Sequence, residues 1–128
     1  MLLTHCKKTV CSILLFLAMS WMINAQEPAE LAAALKAGNA GAIAEYFDKR
    51  VVTDIDGQSN NYSSEQGEVI LKNFLTKFST RSFSTLHKGV SQGNSQYMVG
   101  NLQTNQGTFR TSIYINNQKI QEIRFEKD

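Results

Sequence analysis

The hydrophobic pattern of this chain changes its period near Arg81, and that switch limits the fold more than any other feature. Upstream, apolar residues recur every three or four positions: Leu31, Ala34 and Leu35, then Ile43, Tyr46 and Phe47, then Ile70, Leu71, Phe74, Leu75 and Phe78. Such spacing gathers them on one side of a helix. From Phe83 onward the period falls to two, as in Phe109, Thr111, Ile113 and Ile115, which is the alternation of a half-buried strand. Helices come first and strands after, so the chain reads as α+β with one layer of each.

Local signals place the elements. Pro28 and Glu30 suit the first turn of a helix that Gly38 stops. Asn39 caps a second helix, expected from Ala40 to about Lys49. Val51 to Ile55 reads as a strand, Asp56-Gly57 as a turn, and Gln58 to Asn61 as a polar loop. Ser63 and Gln66 form a capping box that opens a third, more hydrophobic helix. Polar clusters at Gln92-Gly93-Asn94, Asn105-Gln106-Gly107 and Asn116-Asn117 then separate strands expected at residues 82–90, 96–103, 108–115 and 119–125. Connections this short imply sequential antiparallel neighbours. The expected architecture is N-terminal helices packed on a curved antiparallel sheet of four to five strands.

The first 25 residues read as an address. Lys7 and Lys8 precede an apolar run from Thr9 to Ile23, which ends at Asn24-Ala25 before the polar Gln26-Glu27. This is the order of a secretory signal peptide, with cleavage expected after Ala25. As a membrane span the run is short, about 22 Å at a rise of ~1.5 Å per residue against a ~30 Å hydrocarbon core, so no stable anchor is expected. Cleavage removes two of the 13 basic residues and none of the 11 acidic ones, leaving a formally neutral domain at residues 26–128. Both cysteines, Cys6 and Cys11, leave with the leader. The exported domain then has no thiol for a disulfide, a nucleophile or a metal, which suits a bacterial periplasm or secretion from a bacterium. No stretch concentrates Lys or Arg beyond pairs, and nucleic acid is not an expected partner.

The stretch Leu35-Lys36-Ala37-Gly38-Asn39-Ala40 with Ile43-Ala44 and Phe47, the segment from Tyr62-Ser63 through Ile70-Leu71 to Phe74, and the later Phe83, His87, Gly89, Tyr97, Gly100 and Leu102 resemble a secreted bacterial family, domain of unknown function 4783. The element order resembles the cone fold of nuclear transport factor two and ketosteroid isomerase, often grouped with cystatin-like folds. The resemblance implies that fold and an envelope location, and no activity. Gly67 departs from the Ala expected there, at a cost of up to ~1 kcal/mol to the third helix.

In cone folds a pocket lies between the concave sheet face and the helices, and the enzymes among them hold an Asp, His or Tyr with a shifted pKa there. His87, the histidine that remains after processing, alternates with Phe83 and Thr85 and is expected in the pocket or at its rim, as a general base or as a structural histidine. Tyr46, Tyr97 and Tyr114 offer hydroxyls, and Phe74, Phe78 and Phe83 an apolar lining. The candidate ligand-binding set is therefore His87, Tyr46, Tyr97, Phe74, Phe78 and Phe83. No carboxylate is placed as an isomerase base; Glu122 shares a strand face with Arg124, and a surface ion pair is expected of it. One histidine without cysteine, and carboxylates off calcium-loop spacing, imply no metal or other cofactor. With Phe109, Thr111, Ile113 and Ile115 facing the helices, Arg110, Ser112 and Tyr114 would face outward beside Leu86, Met98 or Leu102, a surface on which a homodimer could form. The chain reads as an exported domain that binds a small apolar or amphipathic ligand, or an envelope protein, through the pocket or the outer sheet face. The alternatives are a small isomerase, dehydratase or hydrolase of the ketosteroid-isomerase type using His87 with a Tyr, and an immunity or accessory protein that caps a partner.

Overall fold

The computed structural model describes residues 29–90 and 93–128. The leader, Pro28 and part of the Gln92-Gly93-Asn94 turn lie outside the described residues. Among the described residues three helices, α1 (Ala29–Ala37), α2 (Ala40–Ala44) and α3 (Ser64–Lys77), accompany six strands: β1 (Phe47–Ile55), β2 (Gln58–Ser63), β3 (Thr80–Val90), β4 (Ser95–Thr104), β5 (Gly107–Asn116) and β6 (Lys119–Lys127).

The capping signals act where the sequence puts them. Gly38 takes a φ of 64°, its N–H bonds to Leu35 O, and Asn39 N bonds to Ala34 O, a Schellman stop for α1. The Asn39 side chain then accepts from Ala42 N, and Ser63 accepts from Gln66 N, each satisfying a donor that the first helical turn leaves open.

Two elements differ from expectation. The second helix ends at Ala44 instead of reaching Lys49, because Tyr46 O takes the Ile120 N–H at 2.6 Å and Phe47 pairs with Ile120 of β6. Phe47 is buried as the first residue of β1, and an apolar residue at helical spacing from Ile43 is equally compatible with either element. The expected loop at Gln58 to Asn61 is instead strand β2. Asp56 and Gly57 both have positive φ, 51° and 88°, as a two-residue hairpin turn with the twist of the sheet requires. They pair Ile55 directly with Gln58.

The sheet therefore has six strands, not four to five, in the order β2-β1-β6-β5-β4-β3. It is also mixed: β1 runs parallel to β6, joining the first hairpin to the meander, while the other neighbours are antiparallel. The helices cover one face. Leu31, Leu35 and Ile43 from α1 and α2, with Leu71, Phe74 and Leu75 from α3, pack on Met98, Leu102, Phe109, Ile113, Ile123 and Phe125 from the strands.

Gly67 has a structural reason. A Cβ there would stand 2.6 Å from Val51 Cγ1 and 3.3 Å from Phe47 Cε2, so the absent side chain is what lets α3 lie close on β1. Among the described residues no helix is long and apolar enough to cross a membrane.

Candidate functional site

The six candidate residues do not converge. Phe74, Phe78 and Phe83 lie on the helix side of the sheet, where Phe74 meets Phe125, Phe109 and Phe78 at ring-centroid distances of 4.5, 5.1 and 5.3 Å, and Phe78 meets Phe109 at 4.8 Å. These separations are those of rings in direct contact. Phe83 packs across Gly100, where a Cβ would fall 2.5 Å from the ring. Tyr46 sits at the corner between α2 and β1, half-buried against the core. Burial first, and then the charge and hydrogen bond of Glu30, push its phenol above its ordinary pKa.

His87 lies on the opposite face, and a bulge puts it there. In β3, Phe83 and Thr85 pair with Leu102 and Gly100, which face inward, but the register shifts between Thr85 and His87 and leaves Leu86 as the extra residue. His87 then pairs with Val99, whose neighbours along β4, Met98 and Gly100, are buried while it is not. An extra residue in one strand inverts the alternation beyond it, so a strict count from Phe83 assigns His87 to the wrong side.

On that outer face His87 Nε2 lies 2.8 Å from the Tyr97 hydroxyl, in a hydrogen bond. The far edge of the Tyr97 ring occupies the place where a Cβ on its cross-strand partner Gly89 would stand. Glycine thus supplies the room and histidine the tether that hold Tyr97 against the sheet. Tyr114 is directly opposite Tyr97 on β5 and is 47% exposed. Together with Gln96, Asn116 and Gln121 these tyrosines line an open groove of about 330 Å³ at one end of the face. Gln121 is held in place: its side-chain amide donates to Asp48 Oδ2 at 2.8 Å and to Lys119 O at 3.4 Å. The first of these bonds is the main reason the Asp48 carboxyl sits below the usual carboxylate range.

The middle of the outer face carries charge. Arg124 Nη2 donates to Glu122 Oε1 at 2.8 Å, Nη1 is 3.9 Å from Glu126, and Nε faces Asp54 of β1 at 3.5 Å. The expected Glu122–Arg124 pair is present, running along β6 rather than across strands. Arg124 is raised above its ordinary pKa chiefly by the Glu122 hydrogen bond. From here one cross-strand row runs Asp54, Arg124, Ser112, Val99, His87. Met98 and Leu102, expected beside Tyr114, are buried on the other face; Val99, Tyr97 and Asn101 take those places.

A second groove, about 430 Å³, lies between the α1–α2 corner and α3, lined by Gly38, Gly41, Glu68, Lys72 and Leu75. Among the described residues no three His, Cys, Asp or Glu side chains converge as metal ligands would. Nothing in the sequence singles out Gln121, whereas Gly89 is legible as a strand glycine. The glycine was visible as a strand residue with no side chain, which is a recognised sign of close approach.

Comparison with known proteins places this architecture. The family model for the domain of unknown function DUF4783 matches residues 28–126. The chain belongs to the DUF4783 family. A family protein from Bacteroides ovatus is similar in structure, with a TM-score of 0.75 and 26% identity over 79% of this chain and 94% of that one. Another, from Bacteroides fragilis, has a TM-score of 0.74 and 25% identity over 80% of this chain and 100% of that one. An NTF2-like protein of unknown function from Cytophaga hutchinsonii shares the fold of this DUF4783 domain at a TM-score of 0.53 and 16% identity, covering 83% and 95% of the two chains. No curated protein matches the chain.

Proposed function

We propose that this DUF4783 chain is an exported, non-catalytic binding domain that holds its partner on the outer face of the sheet, not beneath it. The observation that carries this is the division of the candidate residues between two faces. Of the phenylalanines expected to line a pocket, Phe74 and Phe78 are in ring contact with each other and with Phe109, Phe74 also with Phe125, and Phe83 is buried across Gly100. The polar candidates His87 and Tyr97, with Tyr114 and Arg110, stand on the uncovered side. Leu86, the bulge residue of the rim strand and 58% exposed, adds apolar surface there.

The His87–Tyr97 bond is the observation that favours the alternative of a small isomerase or hydrolase. A general base gains from enclosure, because a water-excluded site strengthens every interaction that stabilises developing charge. His87 is exposed on an open sheet, so the pair is better suited to shaping a surface.

The test is native mass spectrometry of the full chain, expressed with its own leader and recovered from the bacterial envelope, beside the Val99→Glu variant. Val99 is central to the outer face, between Ser112 and His87. A retained species is expected in the parent and absent from the variant, and its mass separates a second copy from another protein or a small amphipathic molecule. A species retained equally by both refutes the proposal.

A further inference from the structure

The groove beside Tyr97 and Tyr114 has a lining that selects among ligand classes. Its polar residues are Ser95, Gln96, Asn116 and Gln121 with the two tyrosines, and no carboxylate, ammonium or guanidinium is among them; Gln96, paired with the buried Ile115, turns its side chain to the helix side of the sheet. Gln121 has committed its amide N–H groups to Asp48 and Lys119, so its carbonyl oxygen is what remains to offer. The side chains of Asn116 and Tyr114, both exposed, are available as donors and acceptors. Tyr97 is fixed by Gly89 and His87. The groove thus has one rigid aromatic wall, one exposed aromatic ring and a neutral hydrogen-bonding rim.

Three ligand classes fare differently here. An ion would find no opposite charge in the lining to replace its hydration. A wholly apolar guest would strip water from the amides and return no hydrogen bond. A ligand with hydroxyl groups around an apolar C–H face meets both requirements: the hydroxyls donate to carbonyl oxygens and accept from amide N–H groups, while the C–H face rests on a tyrosine ring. The groove volume of about 330 Å³ is at the small end of the range that holds compact ligands, ~300–1,000 Å³.

We propose that this groove binds a neutral saccharide, its ring laid on Tyr114 and its hydroxyls bonded to Asn116 and the carbonyl of Gln121. The proposal rests on the outer-face reading and narrows it to one ligand class.

Titration of the isotopically labelled chain with glucose, maltose, cellobiose and a uronate-containing disaccharide, followed by NMR, tests it. The neutral sugars are expected to shift the side-chain amide signals of Asn116 and Gln121 with a Kd of roughly 1 mM. Tighter binding of the disaccharides than of glucose identifies a glycan chain as the source, and equal binding identifies a free sugar. Tyr114→Ala should weaken binding about tenfold, which is about 1.4 kcal/mol, and Tyr114→Trp should restore it. Absence of shifts with every neutral sugar, preference for the uronate, or shifts unchanged in Tyr114→Ala overturns the inference. If the sugars fail while a partner is still lost from Val99→Glu, this inference alone falls; a partner indifferent to Val99→Glu removes the outer-face reading as well.

Discussion

Replacing Gly67 by Ala sets two well-measured effects against each other. In an exposed helix the change should stabilise by ~0.8–1.0 kcal/mol, since glycine is that much worse than alanine in a helix interior. Gly67 is buried, and its new Cβ would stand 2.6 Å from Val51 Cγ1. Carbon atoms prefer separations of ~3.5–4.0 Å, so about 1 Å must be found between α3 and β1. Val51 cannot easily give way: it is 0% exposed, and its strand is bonded on both sides, to β2 and to β6. Forcing an extra methyl group into such packing costs typically ~1–3 kcal/mol. The steric term outweighs the propensity term, and net destabilisation of about 1 kcal/mol is expected. For a domain of this size that lowers Tm by roughly 4–8 °C.

Urea denaturation followed by circular dichroism measures the change, and a double-mutant cycle with Val51→Ala isolates its cause. Val51→Ala alone should destabilise by leaving a cavity. In that background the same Gly67→Ala substitution has space, so it should become stabilising, with a coupling energy of roughly 1–2 kcal/mol between the two sites. If Gly67→Ala raises stability in the parent by the full propensity gain, or if the two changes are simply additive, the account of close helix–sheet approach is wrong.

The two strand glycines should respond unequally. At Gly100 a Cβ would lie 2.6 Å from the Ser84 carbonyl oxygen, which is backbone and cannot rotate aside, so Gly100→Ala should destabilise by about 3 kcal/mol or prevent folding. At Gly89 the obstructing atoms belong to the Tyr97 side chain, so Gly89→Ala should cost ~1 kcal/mol or less while releasing Tyr97 from His87, visible as a change in the His87 ring signals. Because Asp48 is lowered in the fold, its contribution to stability is present above the ordinary carboxylate range of about 3.9 and is lost as pH falls through its folded value. Gln121→Ala removes the largest cause of that lowering, so a carboxyl NMR titration should show Asp48 moving up and acid unfolding should lose part of its dependence on this group. Finally, intact-mass measurement of the exported protein should give a chain that begins at Gln26; retention of residues 1–25 would refute the leader assignment.

What the order of residues determined by itself was local. Helix stops and starts at Gly38, Asn39 and Ser63 are legible because a cap and the turn it serves are three or four residues apart. The strict alternation of Phe109, Thr111, Ile113 and Ile115 assigns the inner face of β5 correctly for the same reason. Asp56-Gly57 was also readable as a hairpin turn, yet the six residues after it are polar and exposed for most of their length, and nothing in them announces a strand. They become β2 through backbone bonds to β1, which carry no side-chain signature.

Tertiary structure decided the rest. The second helix yields to β1 at Phe47 because a β6 amide, more than seventy residues away, competes for the carbonyl of Tyr46. The single residue Leu86, left over when β3 pairs with β4, turns His87 from the interior to the outside and so moves the candidate site to the other face. Periodicity is a property of one segment, but a bulge exists only between two, and the face a side chain reaches is settled when the strands align.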